Sequence, residues 1–116
     1  MKKIFHLSSC STCARILTET GADEKLDLQD IKTEKITEKQ LDQMAEMSGS
    51  YESLFSRRSL KYRAWGLHEK QLTEADYKKY ILEEYTFLKR PVAILNKKIF
   101  VGNEKKTVAA LAEALK

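Results

Sequence analysis

The stretch HLSSCSTCARIL, residues 6–17, carries both cysteines of the chain, Cys10 and Cys13. Just upstream, Lys2-Lys3-Ile4-Phe5-His6-Leu7 reads as a short strand, and Ser8 and Ser9 read as turn residues. Downstream, from Thr12, the apolar positions Ala14, Ile16 and Leu17 follow a helical pattern that Gly21 closes as a C-cap. Leu26 and Leu28 alternate ahead of Ile31, so a second strand is expected around 26–28. Strand, helix and strand in so short a span make a βαβ unit, with parallel strands and a right-handed crossover. The cysteines therefore fall in the turn where the first strand hands over to the first helix.

Further along, Thr37 and Gln40 have capping-box spacing ahead of a helix whose apolar face is Leu41, Met44, Ala45 and Met47. The methionines are expected to fill core space. Residues 48–67 are mixed and predict two small helical turns around an irregular link. TEADYKKYILEEYTFL, 73–88, predicts a helix capped by Thr73, with Tyr77, Tyr80 and Ile81 inward. PVAIL and KIFVG flank Asn96-Lys97, a tight hairpin signal. A last helix carries Val108, Leu111, Ala112 and Leu115 on one stripe.

The 116 residues fit one domain, and 42% apolar with 33% charged residues is an ordinary globular composition. A chain of this length needs no disulfide staple. No segment reads as a signal peptide or membrane span, which places the protein, as an expectation, in the cytoplasm with its thiols reduced. The net charge of +4 is mild and suits a solvated surface or a small anionic substrate. No basic run interleaved with aromatics points to nucleic acid.

The cysteine pair admits three readings: a metal site, buried structural cysteines, or a working thiol. Zinc needs four ligands, and the only histidines, His6 and His68, match no familiar zinc spacing. No bound metal or cofactor is expected. Free cysteines also pack as small apolar residues. A C-x-x-C between strand and helix in a reduced compartment favours redox chemistry. A thiol reacts as its thiolate, and the strand-to-helix turn offers Cys10 unpaired N–H groups and the positive helix end. His6, four residues earlier, is positioned to donate to that sulfur, and Arg58 and Arg90 are distant cations that the fold could bring to the same mouth. Cys13 lies close enough to resolve an adduct on Cys10. The run FSRRSLKYR supplies Arg57, Arg58 and Arg63; most should be solvated, but one guanidinium could bind an oxyanion through two oxygens.

The order β-α-β, helices, β-β-α resembles a thioredoxin-like fold. It implies an α/β class, a four-stranded mixed sheet and one domain over 1–116, with a helical insertion at about 37–88. Together HLSSCSTC, LFSRRSLKYRAWGL and FLKRPVAIL…FVGN resemble the arsenate reductase (ArsC)-like family, which includes the Spx regulators and an uncharacterised reductase-like branch. The resemblance implies a thiol oxidoreductase in which Cys10 attacks an oxyanion such as arsenate, or a disulfide, and His6 helps lower its pKa. It implies a cis-proline at Pro91, with Arg90 and Arg58, or Arg57 if the alignment slips by one, binding the oxyanion. Glutathione with glutaredoxin, or thioredoxin, is the implied electron donor. Two departures stand out. Family reductases carry an arginine after the last strand, where VGNEKK offers only Lys105 or Lys106. Glutaredoxin-dependent reductases have serine at the place of Cys13, whereas Spx proteins have the C-x-x-C. The alternative implied is therefore a redox-sensing regulator that binds the C-terminal domain of the RNA polymerase α-subunit, for which Gly49 upstream of the arginines is suggestive.

Overall fold

Four short strands organise the first and last parts of the chain: β1 Lys2–His6, β2 Asp27–Asp30, β3 Val92–Leu95 and β4 Lys98–Val101. The computed structural model describes residues 2–116. The strand order is β2-β1-β3-β4. β1 and β2 are parallel, with Ile4 opposite Leu28 and His6 opposite Asp30. β1 runs antiparallel to β3, and β3 antiparallel to β4. The expected α/β class and mixed sheet are therefore what the chain forms. The β3–β4 hairpin turns at Asn96, whose φ of 56° is the left-handed conformation that asparagine tolerates well.

The chain divides into two compact units, one combining the chain up to Lys35 with Arg90–Lys116, the other formed by Ile36–Lys89. In the first, helices α1 Ser11–Thr20 and α6 Lys105–Ala114 lie on one face of the sheet, and a single helical turn, α2 Ala22–Lys25, follows Gly21. Gly21 takes φ 78° to end α1, as its position predicts. Ile4, Leu17, Leu26, Ala93, Leu111 and Leu115 form the core here. Burying each larger member contributes about 1.5–3 kcal/mol. Residues of opposite strand parity, Phe5, Val92 and Ile94, are buried as well.

β2 corrects the expected alternation. Leu28 is 40% exposed, whereas Gln29 is only 1% exposed. β2 is the edge strand, and Gln29 is the residue in register with buried Phe5. The buried amide is tolerated because its Nε2 donates to the Glu34 carbonyl at 3.0 Å.

The second unit is helical: α3 Glu38–Ser48, α4 Leu60–Ala64 and α5 Glu74–Glu83, with 3-10 turns at Glu52–Leu54, Leu67–Glu69 and Tyr85–Phe87. The capping box of Thr37 and Gln40 forms in both directions. Lys78 on α5 pairs with Glu38 and Asp42 on α3 at 2.9 and 3.0 Å. The middle segment makes three short helical pieces, one more than expected. The helix expected over 73–88 stops at Glu83, because Glu84 turns extended and its carboxylate accepts from the Thr86 N–H and hydroxyl, opening a new turn. Phe55, Tyr77 and Phe87 form the aromatic centre of this unit, with ring centroids 4.9 and 5.0 Å from Phe55. Among the described residues no helix is long and apolar enough to cross a membrane.

Candidate active site

Leu7 ends the apolar run of β1, and the exposed Ser8 and Ser9 turn the chain so that the Cys10 N–H donates to the Leu7 carbonyl at 3.0 Å. Cys10 is the N-cap of α1, with extended backbone (φ −95°, ψ 113°), and its carbonyl accepts the first helical bond, from Ala14. An N-cap side chain faces the unpaired N–H groups of the first turn. Serine or threonine there would accept with a neutral oxygen. A cysteine accepts far better once it is a thiolate.

Both cysteines are free thiols, Cys10 half-buried and Cys13 only 1% exposed. Burial pushes the Cys10 thiol up. The Cys13 N–H, the Cys13 thiol, the Thr12 N–H and the Arg90 charge together outweigh that and hold it below the ordinary thiol value. Cys13 goes the other way, to about 11, chiefly because burial disfavours its charge, with Cys10 adding to the effect. The pair is thus asymmetric: burial and Cys10 keep the proton on Cys13, and the Cys13 thiol donates to the Cys10 sulfur, which favours charge on Cys10 over charge on Cys13.

His6 occupies the last position of β1, half-buried and in register with Asp30. Its charge acts on the Asp30 carboxylate. After burial, the influences on Cys10 come from Cys13, Thr12 and Arg90. Asp30 is the residue that the sequence did not single out. Its Oδ2 accepts from the Ser8 hydroxyl and its Oδ1 from the Lys32 N–H at 3.1 Å. The Ser8 bond, with that Lys32 N–H, the Ser8 N–H and the His6 charge, holds its carboxyl below the usual range against slight burial. The tip of the edge strand therefore ties down the turn two residues before Cys10.

Asp30→Ala is expected to loosen that turn and slow iodoacetamide alkylation of Cys10 at pH 7 by about three- to tenfold, the effect of about one lost hydrogen bond. Asp30→Asn keeps an acceptor for Ser8 and removes a negative charge, so it should leave the rate near wild type or raise it. If both variants accelerate alkylation, Asp30 acts through its charge and not as a tether.

Arg90 lies in the same unit and acts on both sulfurs. It is half-buried, and its peptide bond to Pro91 is cis. Pro91 is buried; its carbonyl accepts from the Gly102 N–H at 2.9 Å. Arg57 and Arg58 belong to the helical unit. The Arg57 guanidinium donates to Glu52 at 2.8 Å and to the Tyr77 hydroxyl at 3.0 Å, and it stacks over the Tyr77 ring. Those partners hold Arg57 in place within its own unit, whereas the Arg58 side chain is exposed. Lys105 and Lys106 open α6 and are exposed. His68 sits 3.8 Å from Glu69. Among the described residues no group of His, Cys, Asp and Glu is arranged to hold a metal ion.

A family model described as the ArsC family matches residues 5–111. No curated protein matches the chain. Among solved structures, the protein YffB (PA3664) is 23% identical with a TM-score of 0.79, covering 100% of both chains. An arsenate reductase from Vibrio cholerae is 15% identical with a TM-score of 0.78, covering 95% of this chain and 96% of that one. A possible arsenate reductase from Streptococcus mutans is 25% identical with a TM-score of 0.71, covering 90% and 92%. At these identities the likeness carries the fold, the thioredoxin-like α/β arrangement that the element order suggested.

Proposed function

The chain belongs to the ArsC family, and from that premise we propose that it is a thiol-dependent reductase whose nucleophile is Cys10, acting on an oxyanion such as arsenate or on a disulfide. The observation that carries this reading is the cysteine pair at the head of α1: Cys10 at the N-cap, with Cys13 buried one turn in and Arg90 acting on both sulfurs. In this reading the Cys10 thiolate attacks the pentavalent oxyanion and displaces water or hydroxide, forming a sulfur–arsenic bond. Arg90 offsets charge as it builds. Cys13 then gives up its proton and attacks the Cys10 sulfur. A disulfide forms, the sulfur–arsenic bond breaks, and two electrons pass to arsenic, which leaves as the trivalent oxyanion. A dithiol donor of the thioredoxin or glutaredoxin class reduces the disulfide and closes the cycle.

The test is reduction of arsenate by the full chain, run with thioredoxin and, in parallel, with glutathione plus glutaredoxin. Cys13→Ser should still form the Cys10 adduct, yet give no internal disulfide and lose turnover with thioredoxin by about a hundredfold or more. Unaltered thioredoxin-linked turnover in that variant would remove Cys13 from the mechanism. A second reading, a redox-sensing regulator that binds the C-terminal domain of the polymerase α-subunit, draws on the same C-x-x-C. It requires retention on the immobilised polymerase domain that changes when the pair is oxidised.

A further inference from the structure

At the end of the sheet where β1 begins, a full strand length from the end that bears the cysteine turn, lies an open groove of about 760 Å³. Five lysines line it among the described residues: Lys2 from β1, Lys25 from the end of α2, Lys97 and Lys98 from the hairpin, and Lys116 beyond α6. Half of the lining residues are lysines, although Lys and Arg make up 21 of the 116 residues of the chain. They come from positions far apart in sequence, so only the fold gathers them. Among the described residues no carboxylate side chain lines the groove. The floor is apolar: Leu26, Leu95 and Leu115. Two lysines are partly engaged already, Lys25 donating to the Leu115 carbonyl and Lys116 pairing with Glu113 at 3.2 Å in an exposed pair that is worth little. Lys2, Lys97 and Lys98 are exposed.

We propose that this groove docks an acidic peptide segment of a partner protein, one that carries apolar side chains between its carboxylates. One feature selects that chemistry: the five lysines come from four separate segments and rim the groove rather than forming one cluster in the chain. The cations sit on long, flexible stems around the apolar floor. Such a rim suits carboxylates spread along an extended chain, with leucine-like side chains between them on the floor. Lysine is a point charge that pairs with dispersed carboxylates without needing the planar register of arginine. Because the groove is remote from Cys10, docking here would recruit a partner without blocking the thiol.

The experiment is fluorescence anisotropy of a labelled Glu-Glu-Leu-Glu-Glu-Leu peptide against the reduced full chain, at about 25 mM and about 300 mM salt. Expected are saturable binding at low salt, a loss of about tenfold or more at high salt, and a similar loss in Lys97→Glu/Lys98→Glu. A second variant, Lys39→Glu/Lys70→Glu, changes the net charge equally on exposed lysines of the helical unit and should bind as wild type. A peptide with Gln in place of Glu should bind at least tenfold more weakly. The proposal fails if binding is absent at low salt, if the two double variants lose binding equally, or if the Gln peptide binds as well. It also fails if a short oligothymidylate displaces the peptide from the groove at lower concentration than unlabelled peptide does, which would assign the lysines to nucleic acid. Circular dichroism checks that each variant stays folded.

Discussion

Cys10→Ser is expected to lower thiol-dependent turnover by about a thousandfold or more and to erase fast alkylation at neutral pH. A serine hydroxyl at the N-cap would accept the same N–H bonds and preserve α1, so the loss would be chemical and not structural. The pH profile carries the sign of the effect. Cys10 is held below the ordinary thiol value, so the wild-type rate should reach its plateau at lower pH than an unperturbed thiol. In Cys10→Ser the only remaining thiol is Cys13, buried and held high, and its alkylation should be slow until strongly alkaline pH. Mass spectrometry after a brief iodoacetamide pulse at pH 7 distinguishes the two. Rapid labelling that survives in Cys10→Ser would make Cys13 the reactive thiol and reverse the roles of the pair.

Phe55→Ala should give the largest loss of stability, about 3–5 kcal/mol, seen as a lowered midpoint in urea and a lowered Tm. Phe55 has no exposed surface and touches three rings: Phe87 stacked at 5.0 Å, Tyr77 at 4.9 Å and Tyr62 edge-on at 6.0 Å. The helices of this unit are short, and little of their stability comes from propensity alone. Truncating the central ring leaves a cavity beside Tyr77, whose ring packs on Phe55 and whose hydroxyl accepts from Arg57. Phe55→Leu, which retains most of the volume, should cost far less. Equal losses in both variants would mean that the ring contacts, and not the filled volume, hold the unit together.

The local elements were legible in the sequence because local rules set them. Thr37 with Gln40, Gly21 after α1 and Asn96-Lys97 in the hairpin each act through bonds or backbone angles within a few residues. The C-x-x-C was legible for the same reason: a strand ending at His6 and a helix starting at Ser11 put Cys10 at the N-cap. Misreadings came where the environment chose between equal local options. Leu28 and Gln29 exchange places because the strand is at an edge and its register with β1 decides which parity is covered. Glu84 breaks a helix that periodicity would have continued, because its carboxylate bonds forward to Thr86.

By itself the sequence determined the order of the elements and the strand-to-helix turn that carries Cys10, since spacing and capping are properties of neighbouring residues. Only the tertiary structure decided which way each thiol is pushed, because that depends on burial and on Arg90, eighty residues away along the chain. It also decided that Asp30 tethers the turn and that five scattered lysines share one groove. Charges and hydrogen bonds act through space over a few ångströms, and chain separation says nothing of that distance until the sheet has brought its strands into register.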